Sequence, residues 1–351
     1  MIIWALPLAL LLLIIVRCAG DDNENPDPPV VEKDVWITAP SNDAQYVSGD
    51  PCTVKIEVNH PDLISDLQLW VDDTLFADSI SLETQQFKFE TTGGRVGRIP
   101  IYLKWKDGAG KERRDTRTIA VFSDIVPETK EVKIVQTYPH NPKSYTQGLE
   151  FYKGRLYEGT GQKESSLLAE VDLKTGAHLR ITKLDNSIFG EGITILNDTI
   201  YQISYQAGKC FLWDVNSFEK ITEFNYAGEG WGLCNNGKSI LMSNGSDEIV
   251  WRDPRTFQVT KTIHIFDNQS NVAQLNELAL IEGDLYANIY MDSKIARIDT
   301  ASGKVLGYIN CAPLVNAQPD GVDVINGIAY NDGKIYLTGK WWPNLYEVSF
   351  E

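Results

Sequence analysis

The chain has 351 residues, 43% of them hydrophobic and 10% aromatic, and carries a formal net charge of −16. At the soft prior of ~150 residues per domain, that length accommodates two domains with sizeable cores. The acidic balance excludes nucleic acid as a partner, since phosphates would be repelled, and it favours solubility without naming a substrate.

The first 16 residues, "MIIWALPLALLLLIIV", are almost wholly apolar, and "RCAGDDNENPDPP" then turns polar at once. A membrane span needs ~20 apolar residues, so this run reads as the hydrophobic part of an export signal over residues 1–20. Cys18 stands where a bacterial lipoprotein signal places its lipidated cysteine, although Arg17 fills a position usually held by a small residue. Simple cleaved secretion and an uncleaved anchor are the alternatives. The expectation is an exported, lipid-anchored protein on the outer side of the cytoplasmic membrane or in the outer membrane, facing the periplasm or the cell surface. Residues 21–33, acidic and Pro-containing, form a tether.

Residues 34–124 alternate apolar and polar in short runs: "DVWITAP", "CTVKIEVN", "LQLWVDD", "QFKFETT", "IPIYLKWKD" and "TRTIAVF". Turn-forming residues separate them, as in antiparallel strands. About seven strands in ~90 residues predict an immunoglobulin-like sandwich, a spacer or adhesion module without a catalytic cluster. Cys52, Cys210, Cys234 and Cys311 show no metal-ligand spacing and dictate no disulfide pairing; the bland reading is buried small hydrophobes. His60, His140, His178 and His264 are scattered and form no ligand cluster. No metal and no cofactor is expected.

From residue 131 to 351 the chain repeats itself. "QGLEF", "EGITI", "WGLCN", "NELAL" and "NGIAY" recur at intervals of about 45 residues, each followed by a turn and a second strand such as "GRLYEGTG" or "GKIYLTGK". A third strand follows in all five units and a fourth in the first four. Four antiparallel strands per unit, five times over, predict a five-bladed β-propeller, so the fold class is all-β. "EVKIVQTYP", residues 131–139, is the donor of the strand missing from the fifth unit, and would close the ring.

In a propeller the first strand of each blade lines the central channel. Gln147, Glu191, Trp231, Asn276 and Asn326 therefore form a ring at one mouth, joined by the second-strand ends Gly161, Tyr205, Gly245, Tyr290 and Lys340. Each blade presents something different there, as a site would. Bland readings stand beside this one: Glu191 as salt-bridge partner of Lys340, Trp231 as channel filler, Asn276 and Asn326 as turn caps. Glu277 is a second carboxylate nearby.

The motifs "YTQGLEF", "FGEGITIL", "EGWGL", "QLNEL", "NGIAY" and "LTGKWWPNLYEV" resemble, in order and at compatible spacing, those of the plant-type glutaminyl-peptide cyclotransferases over residues 131–351. The resemblance implies a five-bladed propeller enzyme, an acyltransferase without a catalytic metal, that converts N-terminal glutamine of peptides and proteins to pyroglutamate and ammonia. It makes Glu191 the general acid/base, with Lys340 and Asn276 as catalytic partners. Gln147, Tyr145, Phe189, Trp231, Tyr205, Tyr290 and Asn326 become substrate-binding residues. Tyr205 and Tyr290 replace tryptophans common in the plant members, and Tyr145 a phenylalanine, so the peptide preference differs more readily than the reaction. The implied partner is a peptide or protein with N-terminal glutamine, handled by a monomer. The competing reading is a non-catalytic surface propeller that binds a peptide or glycan through the same funnel.

Overall fold

The computed structural model describes residues 34–91 and 94–351. The expected signal, Cys18 and the acidic tether lie outside the described residues. The described chain is all-β apart from a single turn of 3-10 helix at Pro61–Leu63 and a short helix at Ala312–Asn316. No helix among the described residues is long and apolar enough to cross a membrane.

Residues 35–122 form two sheets. Strands Val35–Ala39, Pro51–Val58 and Gln86–Glu90 make a three-stranded sheet. Strands Gln45–Val47, Glu112–Phe122, Gly97–Lys106, Ser65–Val71 and Thr74–Ala77 make a five-stranded one. The two short strands, 45–47 and 74–77, are additions to the sequence reading; being three and four residues long, they offer too little alternation to be seen. Val35, Ile37, Val54 and Ile56 of one sheet meet Leu67, Leu69, Ile101, Leu103 and Ile119 of the other in one core. Cys52 lies in that core, and all four described cysteines are buried and unpaired.

The repeats appear as five antiparallel units. Their inner strands are Thr146–Tyr152, Gly190–Leu196, Leu233–Asn235, Leu275–Ile281 and Ile325–Asn331. The turns from inner to second strand explain the register. In four units the two linking residues both have positive φ: Lys153–Gly154, Asn197–Asp198, Glu282–Gly283 and Asp332–Gly333. That conformation matches the natural strand twist, and Gly, Asn and Asp adopt it most readily.

Each unit shares a core with the next. Leu168 of the first packs with Ile193 and Phe211 of the second, and Ile203 of the second with Leu233 and Met242 of the third. Trp251 joins third to fourth, Ile295 and Leu337 fourth to fifth, and Leu149 with Tyr336 fifth to first. The strand Glu128–Pro139 pairs antiparallel with Asn344–Phe350, from Asn344↔Pro139 to Phe350↔Val132, as its sequence position suggests. Its opening residues add something the repeats do not show. Glu128–Glu131 pair parallel with Gly307–Asn310, so the fourth and fifth units share one eight-stranded sheet.

The two-sheet region rests on the outer strands of the third and fourth units. Val96 donates to Ser302 O at 3.0 Å, Ser123 to Asp267 O at 3.0 Å, and Lys304 pairs with Asp124 at 2.6 Å.

Candidate active site

The register of the inner strands slips where the ring residues stand. Pairing shifts between Thr146 and Gly148, between Gly190 and Ile193, between Leu275 and Leu278, and between Ile325 and Ile328. Gln147, Glu191, Asn276 and Asn326 lie inside these slips. A bulge of this kind frees a residue from the ladder and re-aims its side chain. In the third unit Trp231 precedes the strand, and its carbonyl accepts from Gly192 N at 2.9 Å.

Nine of the ten sequence-derived site residues line one cleft of about 470 Å³. Five aromatic side chains run around it edge to face. Tyr145 meets Phe189 at 6.1 Å, Phe189 meets Tyr205 at 6.0 Å, Tyr205 meets Trp231 at 6.4 Å and Trp231 meets Tyr290 at 5.5 Å. Lys340 closes the circuit, its Nζ 4.9 Å from the Tyr145 ring centre and 5.0 Å from that of Tyr290. The second-strand glycines make room for this wall. A Cβ on Gly161 would approach Phe189 to 2.5 Å, and one on Gly245 would approach Trp231 to 2.5 Å.

Glu191 is 5% exposed and its Oε2 has no hydrogen-bond partner. Burial pushes its carboxyl well above the ordinary carboxylate range; Lys340 pulls it partly back and Glu229 adds to the rise. Lys340 is 2% exposed and forms no ion pair among the described residues. Burial lowers its ammonium, while Glu191, Asp323 and Glu277 favour the charge. The two groups therefore influence each other through space without contact, and the salt-bridge reading of Glu191 does not hold. Asn276, 4% exposed, keeps Oδ1 without a partner, an unusual cost for a buried polar atom. Glu277 behaves differently: its Oε1 accepts from Leu149 N at 2.9 Å across the inner strands, and burial raises its carboxyl well above the usual range.

Asn326 is the exception. It is 1% exposed and does not line the cleft; its Nδ2 donates to Thr146 O and to Gln147 Oε1, both at 3.0 Å. The slip in its strand turns it towards its neighbour, so it supports Gln147 rather than meeting a ligand. Two of the four histidines, His140 and His178, are less scattered than the sequence suggests. His140 Nε2 donates to Glu158 at 3.0 Å and Nδ1 to Trp342 O at 2.8 Å, while His178 reaches Glu158 at 3.3 Å. Burial opposes a charged His140, but Glu158 overrides it and holds the ring above its usual range; Glu158 is correspondingly held well below its own. Thr146 and Ser144 complete this buried network, which anchors the segment carrying Tyr145 and Gln147. Among the described residues, no group of three or more His, Cys, Asp or Glu side chains is arranged to hold a metal ion.

Other residues belong to the site without having been singled out. Glu229 accepts from Trp231 Nε1 at 3.1 Å and from Gln206 at 3.0 Å. Asp323 accepts the Tyr145 hydroxyl at 2.9 Å. Lys163, Ser187, Gln206 and Ala207 line the mouth. Glu229 was within reach of sequence reasoning, since it stands two residues before Trp231 in "EGWGL"; nothing local marks the others.

A buried carboxyl with an unpartnered oxygen, a buried ammonium and the unpartnered Asn276 amide oxygen thus stand inside one aromatic wall, an arrangement chemically able to move protons on a small polar group. Residues 111–350 match the sequence profile of the family described as glutamine cyclotransferase, and the chain belongs to that family. The match begins ahead of the boundary expected at 131. The glutaminyl-peptide cyclotransferase of Arabidopsis thaliana is 35% identical over 237 residues, 65% of this chain and 74% of that protein. The crystal structure of Myxococcus xanthus glutaminyl cyclase superposes with a TM-score of 0.61 at 31% identity, covering 64% of this chain and 99% of that one.

Proposed function

We propose that the protein is a glutaminyl-peptide cyclotransferase that converts N-terminal glutamine of peptides or proteins to pyroglutamate with release of ammonia, using Glu191 as general acid/base. The observation that carries this reading is the Glu191 carboxyl, buried with a free oxygen in a cleft that every unit helps to build, in a chain of this family.

The reaction is an intramolecular aminolysis. The α-amine nitrogen attacks the γ-carboxamide carbon, closing a five-membered lactam, and the carboxamide nitrogen leaves as ammonia. The nucleophile is already tethered, so folding the side chain back is the main positional task. Glu191, as carboxylate, takes the proton that the attacking nitrogen must shed. It returns that proton to the departing nitrogen and is regenerated. A carboxyl whose proton affinity is raised above the ordinary carboxylate range suits both steps. Lys340 and the Asn276 amide are the donors for the developing oxyanion. Tyr145, Phe189, Tyr205, Trp231 and Tyr290 wall the glutamine side chain, and Gln147, steadied by Asn326, faces its amide. No step in this scheme uses a metal or cofactor.

The finer architecture belongs to the same proposal. The five cyclically packed units are read as a five-bladed propeller over residues 131–351, and residues 34–124 as an immunoglobulin-like sandwich. Export, a lipid on Cys18 and a monomeric state complete the reading.

Ammonia release from Gln-initiated peptides, with and without chelator, is the test. Turnover is expected in both conditions, and Glu191→Gln is expected to lose at least ~10²-fold in rate with little change in thermal stability. Binding of such peptides without any ammonia release would sink the catalytic reading and favour the non-catalytic binding propeller.

A further inference from the structure

In the proposed reaction the cleft takes the glutamine side chain, so the rest of the peptide leaves through its mouth. The mouth is chemically divided. Exposed Lys163, Ser187 and Gln206 line it on the side of the first and second units. The fourth and fifth units instead expose apolar side chains at the residue following each second-strand end: Met291, 73% exposed, and Trp341, 37% exposed.

Trp341 is held in place for this. Its φ of 63° lies in the left-handed region, costly for a bulky side chain and commonest where function demands it. Its backbone N–H donates to Ser144 O at 2.7 Å, and its ring packs edge to face on Tyr145 at 4.8 Å. The next residue, Trp342, is fully buried with its Nε1 on Asp323 O at 2.9 Å. Asp323 also accepts the Tyr145 hydroxyl. Trp341 is thus pinned by its neighbours, continues the aromatic wall outward from Tyr145, and leaves part of its ring in solvent. A large aromatic whose one ring contact among the described residues is Tyr145, at the exit of a site for a chain end, has the chemistry of a stacking platform.

We propose that Trp341 forms a subsite for the side chain of the residue after the N-terminal glutamine, so that the protein prefers peptides with an aromatic residue there, then large aliphatic ones. This rests on the cyclotransferase reading and adds a substrate class to it. Aromatic contact with a half-exposed indole corresponds to about a tenfold advantage in kcat/KM for Gln-Phe over Gln-Gly peptides.

The test is ammonia release by the full chain from Gln-Gly, Gln-Leu, Gln-Phe and Gln-Arg peptides, for the wild type, Trp341→Ala and Trp341→Leu. Wild type is expected to favour Gln-Phe, and Trp341→Ala to bring the Phe-to-Gly ratio to within about twofold of unity. Trp341→Leu keeps bulk but removes the flat face, so it should lose the preference of Phe over Leu. It decides the matter should the alanine variant fail to fold. A wild-type ratio near one, a ratio preserved in the variants, or Gln-Arg as the best substrate would each overturn the subsite. Failure to turn over any of the peptides, Gln-Gly included, would overturn the cyclotransferase reading and the subsite with it. A flat profile with good turnover overturns the subsite alone.

Discussion

Replacing Lys340 with Met measures how far the ammonium tunes Glu191 from a distance. Lys340 is 2% exposed, lies between the Tyr145 and Tyr290 rings and makes no ion pair among the described residues. Contact at ~4 Å would be worth about 4 kcal/mol at an effective dielectric of ~20, and the structure lacks that contact. At a longer separation the same charge is worth less, in inverse proportion to the distance. Since Lys340 lowers the Glu191 carboxyl against the effect of burial, its removal must move that carboxyl further up. The free enzyme needs the carboxylate, so the acid limb of kcat/KM should move to higher pH. Its height should fall as well, because an oxyanion donor is gone. Met has nearly the same length and no charge to desolvate, so thermal stability should hold or rise. Ammonia release measured across the pH range, with one substrate for both proteins, separates the position of the limb from its height. An unmoved limb in a well-folded variant would refute the through-space coupling. A large loss of stability would instead make Lys340 a structural partner.

Two further changes test the cleft and the axis beneath it. Trp231→Ala removes the wall that spans from Tyr205 to Tyr290 and should weaken substrate binding by ~1–3 kcal/mol, read as a raised KM; unfolding of the variant would mark Trp231 as packing. Glu150→Gln addresses stability against pH. Burial pushes the Glu150 carboxyl up to about 7, against hydrogen bonds from Thr194 and Ile195 N. The folded state therefore binds the proton more tightly than the unfolded one. The stability this gives is complete below the unfolded value of ~4.3 and is lost as pH rises through the folded value. Because Glu150 is only partly buried, about 1–2 kcal/mol is at stake. Urea midpoints of the wild type should fall from pH ~5 to pH ~8 more steeply than those of the variant, and equal slopes would refute the assignment.

Much of this site was legible because a repeat converts sequence position into spatial position. Once "QGLEF" and its four echoes are aligned, residues far apart in the chain share one mouth, and seven of the ten residues so placed line the cleft, all but Asn326 and the glycines 161 and 245. Alignment gives a position but not an orientation, and Asn326 shows the difference. Its strand slips like its equivalents, yet its amide is taken by Thr146 and Gln147. Contacts that obey no period were invisible. His140, Glu158 and His178 converge through the fold of one unit and its neighbour, with no spacing to announce them. The parallel pairing of Glu128–Glu131 depends on where a strand happens to run after closing the last unit.

The residue after each ring position links the packing to the chemistry. Four inner strands carry Gly there, at 148, 192, 232 and 327, and the other carries Glu277. A Cβ at Gly148 would stand 2.4 Å from Ile193 N, one at Gly192 2.6 Å from Leu233 N, and one at Gly232 2.1 Å from Asn276 O. Glycine therefore lets the first three inner strands approach the backbone of the next, whereas a Cβ at Gly327 would meet the Thr338 and Thr146 side chains at 3.0 and 3.2 Å. Glu277 fills the remaining space and reaches across to Leu149 N at 2.9 Å. The floor under Glu191 is close-packed as a result, and desolvation heads the causes of its raised carboxyl. Glu277 is itself pushed well above the ordinary carboxylate range, mainly by burial, with Glu150 and Glu191 adding to the rise. Lys340 on the cleft wall and Glu229 behind Trp231 act on Glu191 in opposite directions. The glycines thereby set the dryness that raises its proton affinity, and those two charges set how far that rise goes.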